Sequence, residues 1–212
     1  MNYLAHFFLS HQDDGQILGA FLGDFVKGPL TNSKNQQLLR QTQFPNNLEK
    51  GIRLHRHIDA NFDALPIFDK FKNQCPRGLR RYSGIFIDLY CDYLLCEQWN
   101  SFTPKPIEEF ESLVVKTLKK YKHVIPAKSH RLIDAFDEYH LLQRYKNRHM
   151  VESVLERIGQ RLKLEEFDKT LAPLWELTNS IDLQFDQLME DMQKVVQRFL
   201  ACEDQLSLSI TL

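Results

Sequence analysis

The sequence predicts an all-α fold, a helical bundle forming a single domain over residues 1–212. Three observations carry that prediction. Apolar residues recur at three- and four-residue spacing along nearly the whole chain, the period of helices with one buried face. Glycine and proline number only eight each, too few for the tight turns of an all-β protein. Hydrophobic residues make up 43% of the chain, enough to bury a substantial core.

The elements follow in order. Residues 2–11 read as a short helix. The Asp13-Asp14-Gly15 string supplies a turn and a cap, and a helix then runs to about Val26, where Lys27-Gly28-Pro29 stops it. The polar stretch TNSKNQQLLRQ is a short helix ahead of a loop at Phe44–Pro45. The next helix spans about 46–63 and continues to Lys72 after a break at Pro66. NQCPRGLRRYSG is a basic loop leading into a strongly apolar helix over 83–99. After a break at SFTPKP, helices cover 107–123, 129–142 and 145–163. Leu174, Trp175, Ile181, Phe185, Leu188 and Met192 set the period of one long amphipathic helix over 165–200.

The balance of charge, net −1 with 26% charged residues, is that of an ordinary soluble globular protein. It points to neither nucleic acid nor membrane, and the basic residues are not interleaved with aromatics in a nucleic-acid-binding pattern. The apolar N-terminus lacks a basic leader and is broken by His6, His11 and two aspartates, so it is not a signal peptide. No stretch has the length of a membrane span, and the cytoplasm is the expected compartment. Cys75, Cys91, Cys96 and Cys202 form no CxxC pair, which favours reduced, buried thiols over a zinc site.

Chemistry enters where charged side chains fall on apolar faces. In LHRHID, His55 and Asp59 share a helical stripe with Leu48, Ile52 and Phe62, while Lys50, Arg53 and His57 point the other way. An imidazole and a carboxylate four residues apart can grip one metal ion; they can equally form a buried hydrogen bond that tethers helices. Asp88 and Asp92 are the only charges within FIDLYCDYLL, again four apart. Two buried carboxylates resist ionising together unless a cation compensates them, whether a divalent metal or Arg80 and Arg81. Asp24 lies on the stripe of Ile17 and Phe21, and His6 sits in LAHFFL, where a core role competes with a ligand role. Gly19 and Gly23 are poor helix residues whose repeat suggests the close approach of another backbone. Carboxylates with a minority of histidine on several helices suit Mn²⁺, Mg²⁺ or Fe²⁺. Lys27, Arg53, Arg56, Arg77, Arg80 and Arg81 are candidates to hold a phosphate or an acidic partner.

Four ordered strings, NYLAHFFLSH, GAFLGDFVKG, GIRLHRHIDANFDALP and RRYSGIFIDLYCDYLL with Trp99, resemble the bacterial acyl carrier protein phosphodiesterases, relatives of the HD-type phosphohydrolases. The resemblance covers the first half of the chain; YHLLQRYKN and the last helix match loosely. Tyr93 and Leu65 stand where family members often carry histidine. The resemblance implies an HD-like, manganese-dependent hydrolase that cleaves the phosphodiester between 4′-phosphopantetheine and a serine of holo acyl carrier protein. It implies Asp24, His55, Asp59 and Asp88 as metal ligands, with Asp59, Asp92 and His6 in the catalytic chemistry. Arg56 is then the candidate phosphate contact, with Lys27, Arg80 and Arg81 toward phosphate or partner. Acyl carrier proteins are acidic, so a basic face is expected, at Arg77, Arg80 and Arg81 and at the basic stretch 119–131. Two readings compete: a metal-dependent hydrolase of small phosphoesters or nucleotides, and a non-catalytic carrier-protein-binding protein.

Overall fold

The computed structural model describes residues 1–40, 43–76, 79–161 and 171–210. Among these the regular structure is entirely helical, and no helix is long and apolar enough to cross a membrane. The chain opens with α1 (Tyr3–Leu9), α2 (Asp14–Leu22), α3 (Ser33–Leu39) and α4 (Leu48–Asp63). Then α5 (Pro66–Gln74) and a 3-10 turn at Arg80–Tyr82 lead into α6 (Ser83–Glu97). Next come α7 (Trp99–Phe102), α8 (Ile107–Tyr121), a 3-10 turn at Ala127–Ser129, α9 (His130–Tyr139) and α10 (Leu141–Arg144). The chain continues through α11 (Arg148–Arg161), α12 (Leu171–Glu176), α13 (Asn179–Asp182) and α14 (Phe185–Ile210). Arg77 and residues 162–170, parts of the expected basic loop and of the two expected C-terminal helices, lie outside the described residues.

Local chemistry explains the boundaries. Asp13 caps α2 by accepting from the Gln16 amide at 2.9 Å, and Asn32 caps α3 through the Asn35 amide at 2.8 Å. The second helix is shorter than its periodicity suggests. It closes at Leu22, whose carbonyl accepts from both Phe25 and Val26, so Asp24 lies in the turn beyond it. Pro66 starts a helix rather than breaking one, because at the first helical position its missing N–H costs nothing. The expected 129–142 helix is split by His140, which adopts the left-handed region at φ 49°. The expected long C-terminal helix is three. Around its first break the Leu177 and Thr178 amides fall back on carbonyls three residues earlier, and the Thr178 hydroxyl bonds the Trp175 carbonyl at 2.8 Å. The apolar spacing runs through these breaks, which is why periodicity alone does not reveal them.

Two packing arrangements position the site. Along α2 and α4 the backbones touch. A Cβ on Gly19 would lie 2.1 Å from the Gly51 carbonyl carbon, and one on Gly51 would lie 2.2 Å from the Gly15 oxygen. The close approach read from the glycine repeat is therefore a direct α2–α4 contact. The opposite face of α4 is partly covered by α14: Lys50 pairs with Asp204 (2.6 Å), the exposed Arg53 with Glu203 (2.5 Å), and the His57 ring packs 5.0 Å from Phe199. Helix α14 straps that face down.

The second arrangement seats α1. Seven residues are too few for a helix to persist alone. Its Asn2 cap position makes no side-chain capping bond; the Asn2 side-chain amide donates to the Tyr145 hydroxyl at 2.9 Å. Instead the fully buried Asp92 of α6 accepts from the Leu4 amide at 2.8 Å and the Ala5 amide at 3.1 Å. Asp92 is thus a helix cap supplied across 88 positions of chain, satisfying donors that the first turn leaves unpaired. The three buried cysteines, Cys75, Cys91 and Cys96, are free thiols as expected; Cys202 is exposed rather than buried.

Both arrangements are testable by unfolding. Gly19→Ala forces a methyl onto backbone that has nowhere to go, and is expected to lower stability by about 3 kcal/mol in urea melts. Asp92→Ala strands two buried amides and is expected to cost about 3 kcal/mol, with Asp92→Asn, which keeps one acceptor oxygen, falling between it and wild type.

Candidate metal centre

The seating of α1 against α6 and of α4 against α2 brings His6, His55 and Asp59 together. One ligating atom from each lies within 4.8 Å of the others, the one such group among the described residues. His6 Nε2 stands 2.9 Å from Asp59 Oδ1, and His55 Nε2 stands 3.2 Å from Oδ2. The imidazoles stack with centroids 4.0 Å apart. Both histidines are buried, while the Asp59 side chain is 41% exposed, so the group opens to solvent through its carboxylate. The site exists because Gly23 has no side chain: a Cβ there would lie 2.2 Å from the His55 ring.

Electrostatics follow from this packing. Burial lowers the His6 pKa to about 3, against an opposing hydrogen bond to Asp59, so His6 is neutral at ordinary pH. Burial alone would raise the Asp59 pKa, but the hydrogen bonds it accepts from His55 and His6 outweigh it and hold this carboxyl well below the usual range. A neutral imidazole and an ionised carboxylate are the forms that a metal requires. The outer shell is thinner. Both Nδ1 atoms are buried and have no hydrogen-bond partner among the described residues. Metal-binding histidines usually donate from that second nitrogen. The donor set fits a divalent cation; the support behind the rings is steric, from ring stacking and the Gly23 cradle.

The remaining expected residues surround the triad unequally. Asp24 lies in the turn after α2, with Oδ1 4.0 Å from His55 Nε2 and its side chain 48% exposed. Its carboxylate also meets the Tyr3 hydroxyl. Asp88 is half-buried rather than buried, and the Met1 amine, 2.8 Å away, also lies 3.8 Å from Asp59. Burial disfavours that ammonium, yet Asp88 and Asp59 together raise its pKa; on Asp88 itself burial prevails and the pKa rises. The compensating charge is therefore not Arg80 or Arg81. Asp92 is outside the triad, occupied with the α1 amides, and burial pushes its pKa up to about 7. Arg56, the expected phosphate contact, spends one nitrogen on the Val26 and Gly28 carbonyls, both at 2.8 Å, and so fixes the loop after α2. Lys27 on that loop is 77% exposed, 3.9 Å from Asp24. Arg80 donates to the Cys75 and Asn73 carbonyls, and Arg81 lies over the Tyr82 ring. In the basic stretch, Lys119 pairs with Asp137, Lys120 with Asp14 and Lys122 with Asp134, so its charge is largely compensated on the surface. Tyr93 packs among Tyr90 and Trp175.

Sequence reasoning passed over three contributors: Gly23 as the seat of His55, Asp92 as the cap of α1, and the Met1 amine beside Asp88. The glycine repeat was a signal for the first. The other two join residues nearly ninety positions apart, which spacing does not report.

Fold and site together define a protein, all-helical in its described residues, in which a buried imidazole of α1 meets a buried imidazole and a carboxylate of α4. The profile of one family, acyl carrier protein phosphodiesterase, matches residues 1–192, and the chain belongs to that family. It is similar to an acyl carrier protein phosphodiesterase of Shigella boydii serotype 18 (strain CDC 3083-94 / BS512), 29% identical over 166 residues, which span 76% of this chain and 79% of the relative. The protein of the same name from Salmonella agona (strain SL483) is 26% identical over 202 residues, 95% of this chain and 96% of the relative. No solved structure gives a significant match.

The neutral His6 makes a pH prediction for the metal-free protein. The unfolded chain takes up a proton at about pH 6.5 that folded His6 refuses until about pH 3. This contribution to stability is complete above about 6.5 and is lost as pH falls through that window, at up to about 1.4 kcal/mol per unit. Asp92 runs the other way, since its folded pKa is raised. The readout is therefore a difference: between pH 6.5 and 4.5, unfolding free energy is expected to fall more steeply with acid in wild type than in His6→Gln, by about one proton's worth of slope.

Proposed function

We propose that this protein hydrolyses the phosphodiester joining 4′-phosphopantetheine to the serine of holo acyl carrier protein, releasing apo carrier protein and free 4′-phosphopantetheine. The observation that carries the reading is the convergence of His6, His55 and Asp59 in a chain of this family. His6, His55 and Asp59 hold a divalent cation, Mn²⁺ by preference, with Mg²⁺ and Fe²⁺ as the other cations this mixed nitrogen and oxygen set suits. Asp24 and Asp88 border the triad and complete its oxygen ligation. The cation, when bound, activates a water molecule and polarises a phosphoryl oxygen.

The chain's own residues do the rest. His6 stays neutral because it is buried, so its ring offers a lone pair rather than a charge. Asp59 stays ionised and is the most solvent-accessible of the three, the group that an incoming phosphodiester meets. Arg56 holds the loop after α2 through two carbonyls, and the exposed Lys27 on that loop meets the phosphate. Asp92 takes no part in the chemistry; it places α1 and with it His6.

Mass spectrometry of holo carrier protein incubated with the protein and Mn²⁺ tests the reading: loss of the phosphopantetheine mass is expected, and an unchanged carrier with turnover of small phosphodiesters would favour the small-substrate alternative. His55→Ala and Asp59→Ala are expected to lose activity by about a hundredfold or more. Gly23→Ala, which displaces the His55 ring, is expected to weaken Mn²⁺ binding by at least about tenfold.

A further inference from the structure

One cavity of about 310 Å³ adjoins the proposed site, between the end of α4, α5 and the start of α6. It shares Asp88 with the surroundings of the triad and begins at Phe62 and Asp63, one turn beyond Asp59 on α4. Phe62, Phe68 and Ile87 give it an apolar lining. Its polar side chains are mixed in sign: Lys72, Arg80 and Arg81 line it together with Asp63, Asp69 and Asp88. Three cations against three carboxylates do not make an anion site, whatever the basic loop suggests in isolation. They make a pocket lined by both hydrogen-bond donors and acceptors together with apolar side chains.

We infer that this cavity takes the neutral pantetheine portion of the substrate, a flexible chain of amides and hydroxyls, while its phosphate end stays at the triad. The inference rests on the reading of the substrate given above. The match is chemical. Amide N–H groups find acceptors in Asp63 and Asp69, and amide carbonyls find donors in Lys72 and Arg81. Methylene and methyl groups cover Phe62, Phe68 and Ile87. A cavity of this size is at the lower end of those that hold small organic ligands, as suits an extended chain. Gly84 lines it, and a Cβ at that position would meet nothing within 4 Å.

That empty direction supplies the test. Phenylalanine at Gly84 adds a large ring to the lining of this cavity, at a helical position whose Cβ would clash with nothing. Calorimetric titration of the Mn²⁺-supplemented full-length protein with 4′-phosphopantetheine and, separately, with inorganic phosphate gives a ratio of affinities. This ratio isolates the pantetheine part from the phosphate. It is expected to fall by at least about tenfold in Gly84→Phe, close to 1.4 kcal/mol of binding. The surface double variant Asp69→Ala/Lys72→Ala removes hydrogen-bond partners without burying anything, and the same ratio is expected to fall by about threefold. An unchanged ratio in either variant overturns the assignment, as does a wild-type protein that binds phosphopantetheine no better than phosphate. Failure of the wild type to cleave holo carrier protein would instead overturn the proposed reaction and leave the binding ratio to be read on its own.

Discussion

The structure depends on one contact, the touching of two helix backbones where α2 crosses α4. Gly19 lies against Gly51, and Gly15 lies against the same turn. Such closeness forgoes side chains at those positions and gains a fixed register. The register matters more than the burial. Gly23 is one turn beyond Gly19 on α2, and His55 is one turn beyond Gly51 on α4. The crossing that stacks glycine on glycine therefore stacks Gly23 on the His55 ring. Asp59 follows one further turn along α4, so the spacing of α2 from α4 positions two of the three site residues at once.

The third residue arrives by a different device. His6 belongs to a helix too short to form alone, and a buried carboxylate from α6 supplies what that helix lacks. Burying Asp92 is costly, as its raised pKa records, and the two charge-assisted amide bonds offset the cost. What results is a pair of imidazoles stacked at 4.0 Å. Two imidazolium rings at that separation would repel, so the packing needs a neutral partner, and the burial of His6 provides it. The electrostatic state of the site is thus set by how α1 is seated.

Helical class, most helix positions and the inward turn of His55 were legible because they depend on periodicity, which a single strand of residues carries. The HRHID string divides as the wheel says, with His55 facing inward and His57 on the opposite face. That Lys50, Arg53 and His57 point away from His55 was legible; that α14 pairs with this face was not, because α14 comes some 150 positions later. Asp88 and Asp92 show the same limit more sharply. Their spacing is that of His55 and Asp59, yet one borders the site and the other caps a helix. The difference lies entirely in what packs against each from the first residues of the chain. Breaks at His140 and around Leu177 were hidden for the reverse reason, since apolar spacing persists through them while the hydrogen bonds do not.

Charge shows why residue type is a weak guide to recognition. The stretch 119–131 looks basic in one dimension, but Lys119, Lys120 and Lys122 each meet an aspartate, and exposed pairs of this kind leave little net field to attract an acidic partner. The cavity beside the site is the converse: a loop rich in arginine contributes to a pocket whose formal charges balance. Lys72 and Arg81 have no acidic partner within salt-bridge distance among the described residues, and Lys27 faces Asp24 only at 3.9 Å with most of its side chain in water. On the proposed reading, steering of an acidic carrier toward the triad falls to these few cations close to it rather than to the denser but compensated cluster at the end of α8, because a field acts through the charges left unpaired.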